Sequence, residues 1–169
     1  MAYKDPENTL VIETTKGKVV IEMRPDLAPG HVEHIKKLAR EGQYDGVVFH
    51  RVIDGFMAQT GDVKFGNAAK GETSRAGMGG SSYPNLKQEF NAEPHTRGVV
   101  SMARAQDPNS ANSQFFIVFD DARFLDRQYT VWGKVIEGMD NVDKIKRGEP
   151  VKDPDQIVSM KVAADVKAA

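Results

Sequence analysis

Short runs rich in β-branched and aromatic residues recur along this chain, separated by glycine and other turn residues. Such runs are typical of β-strands. The first two, 9–15 and 18–23, flank the turn Lys16-Gly17 and predict a hairpin. Further strands are predicted at 47–53, 56–60, 98–104, 114–119, 130–136 and 156–164. Because strands and helices do not alternate strictly, the pattern favours an antiparallel sandwich or barrel over a doubly wound parallel sheet.

Two segments have the apolar spacing of an amphipathic helix. The first begins near Pro29 and ends near Gly42, residue types that suit the two ends of a helix. Its apolar stripe consists of Val32, Ile35, Leu38 and Ala39. The second covers 139–147, with Val142 and Ile145 facing inward. We therefore predict an all-β fold, a β-barrel with helical caps.

Length and composition narrow the class of protein further. The 169 residues suit one domain, 1–169, with a core over about 9–164. The chain contains no cysteine, which excludes disulfides, thiol catalysis and cysteine-bound zinc and fits a reducing compartment. A net charge of −1 without a basic stripe argues against nucleic-acid binding. Neither a long apolar run nor a secretory signal is present, so we expect a cytoplasmic protein without membrane contact. Because the sequence shows no heptad pattern and no spare apolar helix, we expect a monomer.

Three features resemble chemical motifs but have simpler explanations. His31 and His34 could form half a metal site, but no third ligand is marked by spacing, so we expect an exposed helical face. The run 66–73 has the glycine spacing of a phosphate loop but lacks the lysine after its second glycine. Ser101 and Ser113 lie outside any Gly-x-Ser-x-Gly elbow. We therefore expect no metal or cofactor, and hydrolase chemistry is disfavoured.

An arginine in the third predicted strand has an unusual position. Alternation places Phe49, Arg51 and Ile53 on one face of that strand. His50 and Val52 would then point to the other face. The arginine stem could simply run along apolar surface while its guanidinium reaches water. A functional role is the alternative, and the strand alone does not decide between them.

The residues that follow favour the functional role. Gly55 permits a tight bend, after which Met57 and Gln59 share a face of the next strand, with Phe56 adjacent. A guanidinium, an amide, a thioether and an aromatic ring could therefore converge. Core packing explains the apolar residues of this group well, but it explains Arg51 together with Gln59 poorly.

Three segments closely resemble the cyclophilin family. They are FHRVIDGFMAQTGD at 49–62, GVVSMARA at 98–105 and NSQFFI at 112–117. They occur in the family's order and at about its spacing, and the resemblance extends from the hairpin at 9–23 to the last strand near 162. It implies a closed eight-stranded antiparallel barrel with two capping helices. It also implies a peptidyl-prolyl cis/trans isomerase that acts on proline-containing polypeptides and assists protein folding without a cofactor.

The resemblance also implies roles for individual residues. By matching position, Arg51 is the catalytic arginine and Gln59 is its polar companion. The residues that would line the proline pocket are Phe56, Met57, Phe116 and Leu125. Those that would border the peptide groove are Ala103, Arg104 (through its backbone) and Gln114. Phe124 and Tyr129 would complete the rim.

Two rim positions depart from the version common in eukaryotic cyclophilins and resemble bacterial members. Phe124 replaces a tryptophan and Tyr129 replaces a histidine. Because phenylalanine has no N–H to donate, we expect weak cyclosporin binding while turnover is retained. Without a histidine at the rim, we expect kcat/KM to be flat over about pH 6–8. An inflection there would first suggest His50.

Two other functions remain open from the residues alone. A non-catalytic module could bind proline peptides in the same pocket, with Arg51 anchoring a carbonyl group, but the pair of Arg51 and Gln59 favours the enzyme. A nucleic-acid or scaffold protein is disfavoured by the near-zero net charge. The glycine-rich stretch 61–97 is long for a structureless loop, which indicates that it is functional or folds back on the barrel.

Overall fold

The computed structural model describes residues 4–68, 75–149 and 151–166. Its strands are β1 (Thr9–Thr14), β2 (Gly17–Met23), β3 (Arg51–Ile53), β4 (Met57–Thr60), β5 (Val99–Met102), β6 (Phe115–Val118), β7 (Val131–Glu137) and β8 (Ile157–Val162). The helices are α1 (Pro29–Arg40) and α2 (Met139–Val142). Short 3₁₀ turns cover Pro6–Asn8, Arg123–Leu125 and Ala163–Asp165. The prediction of a mainly β fold with two helices is confirmed.

The eight strands form one antiparallel sheet in the order β3-β4-β6-β5-β7-β2-β1-β8. The expected closed barrel is not found, because no ladder joins β3 to β8 in the part of the chain that the structure describes. Two isolated bridges, Val48 to Gln156 and Val52 to Gly148, connect β3 and the residues before it to the segment between α2 and β8. The sheet is therefore strongly curled but open.

The segment 47–50, which we predicted to be part of the third strand, explains why the sheet does not close. Its backbone groups bond to separate parts of the chain: the amide of Val48 donates to the carbonyl of Gly66, and that of Phe49 to Asp155. Regular pairing with β4 begins only at Arg51. Irregular hydrogen bonds thus satisfy the backbone groups of this segment, where we expected the regular hydrogen-bond ladder of a strand.

Strands β4, β5 and β6 are buried on both faces. On the inner face, Ala58, Val100 and Ile117 belong to the main core, which α1 also covers. On the outer face, Met57 and Phe116 belong to a second, smaller apolar cluster. Alternation along these short strands therefore builds both the core and the base of an outer surface.

The N-terminus of α1 is capped by a residue far away in the chain. The carboxylate of Glu89 accepts hydrogen bonds from the backbone amides of Gly30 (3.1 Å) and His31 (2.8 Å). The same carboxylate contacts the ring of His31, and the ring of His34 packs edge-on against Tyr83. Both histidines are buried, so the expected exposed helical face is wrong. The two histidines are buried because the loop that carries Tyr83 and Glu89 covers this part of α1.

Other boundaries differ from the sequence prediction in smaller ways. The helix α2 ends at Val142, earlier than predicted, although Val142 and Ile145 are both buried as expected. The predicted phosphate-loop pattern at 66–73 lies partly outside the described residues, which omit 69–74. In the described part of the chain, neither helix has the length and apolar character needed to cross a membrane.

Candidate active site

A pocket of about 420 Å³ opens on the outer face of the sheet. Nine of the predicted site residues line it: Arg51, Phe56, Met57, Gln59, Ala103, Arg104, Phe116, Leu125 and Tyr129. The floor is apolar because most of these residues belong to, or pack against, the smaller apolar cluster. The lining residues that the sequence did not predict are His50, Ala76, Gly77, Met78 and Glu149.

Strand register brings the polar and apolar sides of this pocket together. Arg51 in β3 lies opposite Gln59 in β4, which lies opposite Phe116 in β6. Phe116 in turn lies opposite Ser101 in β5. One row of residues across four strands therefore carries the guanidinium, the amide and the aromatic ring on the same outer face.

The turn between β3 and β4 makes the first of these pairings possible. Gly55 has a φ of +73°, a conformation that a side chain would disfavour. The adjacent amide of Phe56 donates to the carbonyl of Ile53. The tight bend predicted at this glycine is present, and it places Phe56 at the pocket.

A chain of hydrogen bonds sets the orientation of the polar side chains. Arg51 Nη1 lies 3.5 Å from Gln59 Oε1, and Gln59 Nε2 donates to Gln114 Oε1 at 2.9 Å. Gln114 Nε2 then donates to the carbonyls of Gly77 (3.0 Å) and Gly79 (2.8 Å). Because each amide nitrogen faces an acceptor, each amide oxygen is directed toward the arginine side.

Asp62 organises the loop that supplies those two carbonyls. Its fully buried carboxylate accepts hydrogen bonds from the amides of Lys64 (3.1 Å), Phe65 (2.9 Å), Gly77 (2.8 Å) and Gly79 (2.9 Å). A carboxylate that accepts four backbone amides is a strong local constraint. It ties the loop to the end of β4.

The remaining two predicted site residues lie outside this pocket. Gln114 lines a neighbouring, more polar hollow of about 420 Å³. Phe124 is 68% exposed, and its ring centroid lies 5.6 Å from that of Phe56. Gln114 therefore contacts the pocket lining at Gln59 and Gly77, whereas Phe124 lies beside the rim.

The guanidinium of Arg104 is engaged by the protein itself. It donates to the carbonyls of Gln128 (2.8 and 3.2 Å), Ala105 (2.9 Å) and Gln106 (3.0 Å), and it lies 4.7 Å from the centroid of the Tyr129 ring. These contacts use four of the five N–H donors of the guanidinium. The side chain therefore mainly shapes the rim.

A serine, a histidine and an aspartate lie in line behind the pocket. His95 Nε2 is 2.9 Å from Ser101 Oγ, and His95 Nδ1 is 3.1 Å from Asp126 Oδ1. Ser101 and His95 are completely buried, so no substrate carbonyl can reach the hydroxyl. The histidine ring instead stacks on Phe116, with 6.2 Å between centroids. The triad-like arrangement supports the aromatic wall.

The position of His50 differs from the prediction based on alternation. Phe49 and Val52 both pack in the main core, whereas His50 and Arg51 line the pocket. Alternation fails because regular strand pairing begins only at Arg51. Burial lowers the pKa of His50 below its usual value, which favours the neutral ring.

Glu149 contributes the carboxylate of the pocket. Its Oε1 lies 3.0 Å from Arg51 Nε, and the two residues are 98 positions apart in the chain. No local pattern in the sequence indicates this contact, because it depends on how the segment after α2 returns to β3.

Comparisons with known proteins agree with this geometry. The family model for cyclophilin-type peptidyl-prolyl cis-trans isomerases matches residues 9–162. A probable peptidyl-prolyl cis-trans isomerase from Brucella suis is 62% identical, over 96% of this chain and 86% of that protein. Peptidyl-prolyl cis-trans isomerase B from Bacillus subtilis is 39% identical, over 80% of this chain and 88% of that protein.

Solved structures show the same relationship. A cyclophilin from Hirschia baltica superposes with a TM-score of 0.85 at 36% identity, covering 96% of this chain and 76% of that one. A cyclophilin-type isomerase from Cryptosporidium parvum, crystallised in the presence of the dipeptide Ala-Pro, superposes with a TM-score of 0.79 at 26% identity, covering 91% and 98% of the two chains. The chain therefore belongs to the cyclophilin family of peptidyl-prolyl cis-trans isomerases.

Proposed function

We propose that this isomerase holds the proline ring of a polypeptide in the outer pocket while Arg51 stabilises the twisted X-Pro amide. The Cryptosporidium parvum relative, crystallised with Ala-Pro, supports proline-containing polypeptides as substrates. Nothing in the pocket outline selects one client, so unfolded segments and loops with an accessible proline are the proposed substrate class.

The reaction needs stabilisation of one strained state. Rotation about an X-Pro bond must break the partial double bond of the amide, a barrier of about 18–20 kcal/mol. No covalent bond forms or breaks. In the twisted amide the proline nitrogen regains a lone pair, to which a guanidinium can donate a hydrogen bond. The planar amide offers no equivalent acceptor, so the interaction favours the transition state selectively.

The observation that carries this proposal is the position of Arg51 at the edge of an apolar floor. Its side chain is 40% exposed and contacts Gln59 and Glu149, which leaves donors of the guanidinium free to face the pocket. Met57 and Phe116 supply an apolar surface for a pyrrolidine ring. An arginine remains charged at any working pH, so the donor is always available.

The test is turnover of a cis-X-Pro tetrapeptide reporter. Arg51→Ala should lower kcat/KM by about 10²–10³, the usual loss for one preorganised donor, while the fold is retained. Arg51→Lys should recover little, because an ammonium group lacks the planar fork. Arg24→Ala is the matched control: Arg24 is 37% exposed, is paired with Asp26 at 2.7 Å and lies outside the pocket lining. Normal turnover by both Arg51 variants would refute the mechanism.

We also propose a cytoplasmic, monomeric protein. The cysteine-free sequence and the bacterial relatives are compatible with this location. Light scattering of the purified protein should give the mass of one chain, 18.6 kDa. Cell fractionation should recover the protein with cytoplasmic markers, and recovery with membranes would contradict the proposed location.

A further inference from the structure

Arg51 contacts a carboxylate as well as an amide. Glu149 Oε1 lies 3.0 Å from its Nε, whereas Gln59 Oε1 lies 3.5 Å from its Nη1. Among the described residues that line the pocket, Glu149 is the only carboxylate. The shorter of the two contacts that hold the proposed catalytic guanidinium is thus made by Glu149.

The backbone on either side of Glu149 is hydrogen-bonded to β3 and to the residue that precedes it. Gly148 and Val52 exchange two hydrogen bonds of 2.8 Å each, and the amide of Val151 donates to the carbonyl of His50 at 3.1 Å. With Gly148 opposite Val52, the antiparallel register places Glu149 opposite Arg51. Backbone pairing across the open edge of the sheet therefore places the two residues side by side, within reach of this contact.

The nearest arginine in sequence does not compete for this carboxylate. Arg147 Nε donates to Asp54 at 3.1 Å, its Nη1 donates to the carbonyls of Asp143 and Ile145, and its guanidinium lies 4.3 Å from the Phe119 ring centroid. Glu149 is therefore left to pair with Arg51.

We propose that Glu149 is a positioning residue that aims the Arg51 guanidinium at the bound X-Pro bond; this inference rests on the proposed role of Arg51. Glu149 holds Nε and Gln59 holds Nη1, so the plane of the guanidinium is set from two sides. In the described part of the chain no partner meets Nη2, which is left to donate toward the pocket. A long side chain without these contacts would sample several rotamers, and a preorganised donor would be lost.

The expected effect is moderate, because both side chains are partly exposed. Glu149 is 59% and Arg51 40% exposed, and exposed ion pairs hold their geometry weakly. We therefore expect Glu149→Ala to lower kcat by about three- to tenfold, with KM changed less than about twofold. This loss is much smaller than the loss expected for Arg51→Ala, because the guanidinium itself remains.

The experiment combines single and double variants in the tetrapeptide assay. Glu149→Gln should recover part of the lost kcat, since its amide oxygen can still accept from Nε. Glu149→Ala should cause no further loss in the Arg51→Ala background, because a positioning residue acts only through the residue it positions. Asp54→Ala is the matched control, since Asp54 also pairs with an arginine at 3.1 Å but lies outside the pocket lining. It should keep wild-type turnover.

Two results would overturn the inference. One is an unchanged kcat in Glu149→Ala while Arg51→Ala is inactive, which would leave the proposed function intact. The other is an equal loss from Glu149→Ala in both backgrounds, which would assign Glu149 a role independent of Arg51. Normal turnover by Arg51→Ala would overturn the proposed function together with the inference. Thermal unfolding of every variant shows that the comparisons are made on folded protein.

Discussion

At the scale of single residues, two arginines at the same pocket differ in how fully the protein uses their donors. The guanidinium of Arg104 donates hydrogen bonds to three backbone carbonyls and lies over the ring of Tyr129. The guanidinium of Arg51 makes two side-chain hydrogen bonds among the described residues, to Glu149 and Gln59. Since a guanidinium has five N–H donors, these contacts leave three donors of Arg51 and one donor of Arg104 without a partner among the described residues. This difference, more than exposure, distinguishes the two arginines and supports the role proposed for Arg51.

Phe124, which lies beside the rim of the pocket, leads to a prediction about cyclosporin binding. Phe124 is exposed and has no polar donor, so we expect weak binding by the wild type. Phe124→Trp adds an indole N–H at this position and should tighten binding by about fivefold or more, as one new hydrogen bond would. Calorimetric titration measures the change. Ile136→Trp, at an exposed strand position, controls for the added indole itself. Equal affinity of wild type and Phe124→Trp would contradict the prediction.

At the scale of elements, the loop after β4 is held by one side chain. Asp62→Asn would replace a carboxylate oxygen with an NH₂ group. Two of the four backbone amides that donate hydrogen bonds to Asp62 would therefore lose their acceptor. We expect the free energy of unfolding to fall by about 1–3 kcal/mol. Turnover should also decrease, because the loop carbonyls that orient Gln114 would shift.

Urea denaturation and the tetrapeptide assay check both parts of this prediction. Asp107→Asn is the matched control, since Asp107 is exposed and its carboxylate accepts from one amide, that of Asn109, at 2.8 Å. Wild-type stability in Asp62→Asn would show that the loop does not depend on the carboxylate.

At the scale of the whole molecule, all four histidines are buried: His31, His34, His50 and His95. Burial lowers the pKa of each below its usual value. As the pH falls below about 6.5, the unfolded chain therefore binds more protons than the folded one. The stability that the neutral histidines contribute is fully present at neutral pH and should be lost progressively as the pH falls below about 6.5.

Urea denaturation at about pH 7.5 and about pH 5.5 tests this prediction. His34→Gln removes one of the four groups and should reduce the loss of stability on acidification. Glu33→Gln, at an exposed position on the same helix, controls for a change of side chain on α1. An identical loss in wild type and His34→Gln would exclude a contribution from this histidine. The flat pH profile of kcat/KM remains a separate prediction.

Local patterns in the sequence determined most of the elements. The first hairpin, α1 and the bend at Gly55 were all predicted, because β-branched runs, apolar spacing and glycine act over a few residues. The segment from Arg51 to Gln59 was predicted for the same reason: two short strands joined by a tight turn must place these residues side by side.

Only the tertiary structure determined which residues far apart in the sequence come into contact. The row from Arg51 through Gln59 to Phe116 depends on strand register, and a slip of one residue would turn Phe116 to the other face. The contact of Glu149 with Arg51 and the burial of His31 depend on segments that return from far along the chain. Such contacts leave no periodic pattern in the sequence. They depend on how distant segments pack together and on which backbone hydrogen bonds form between them in the curled sheet.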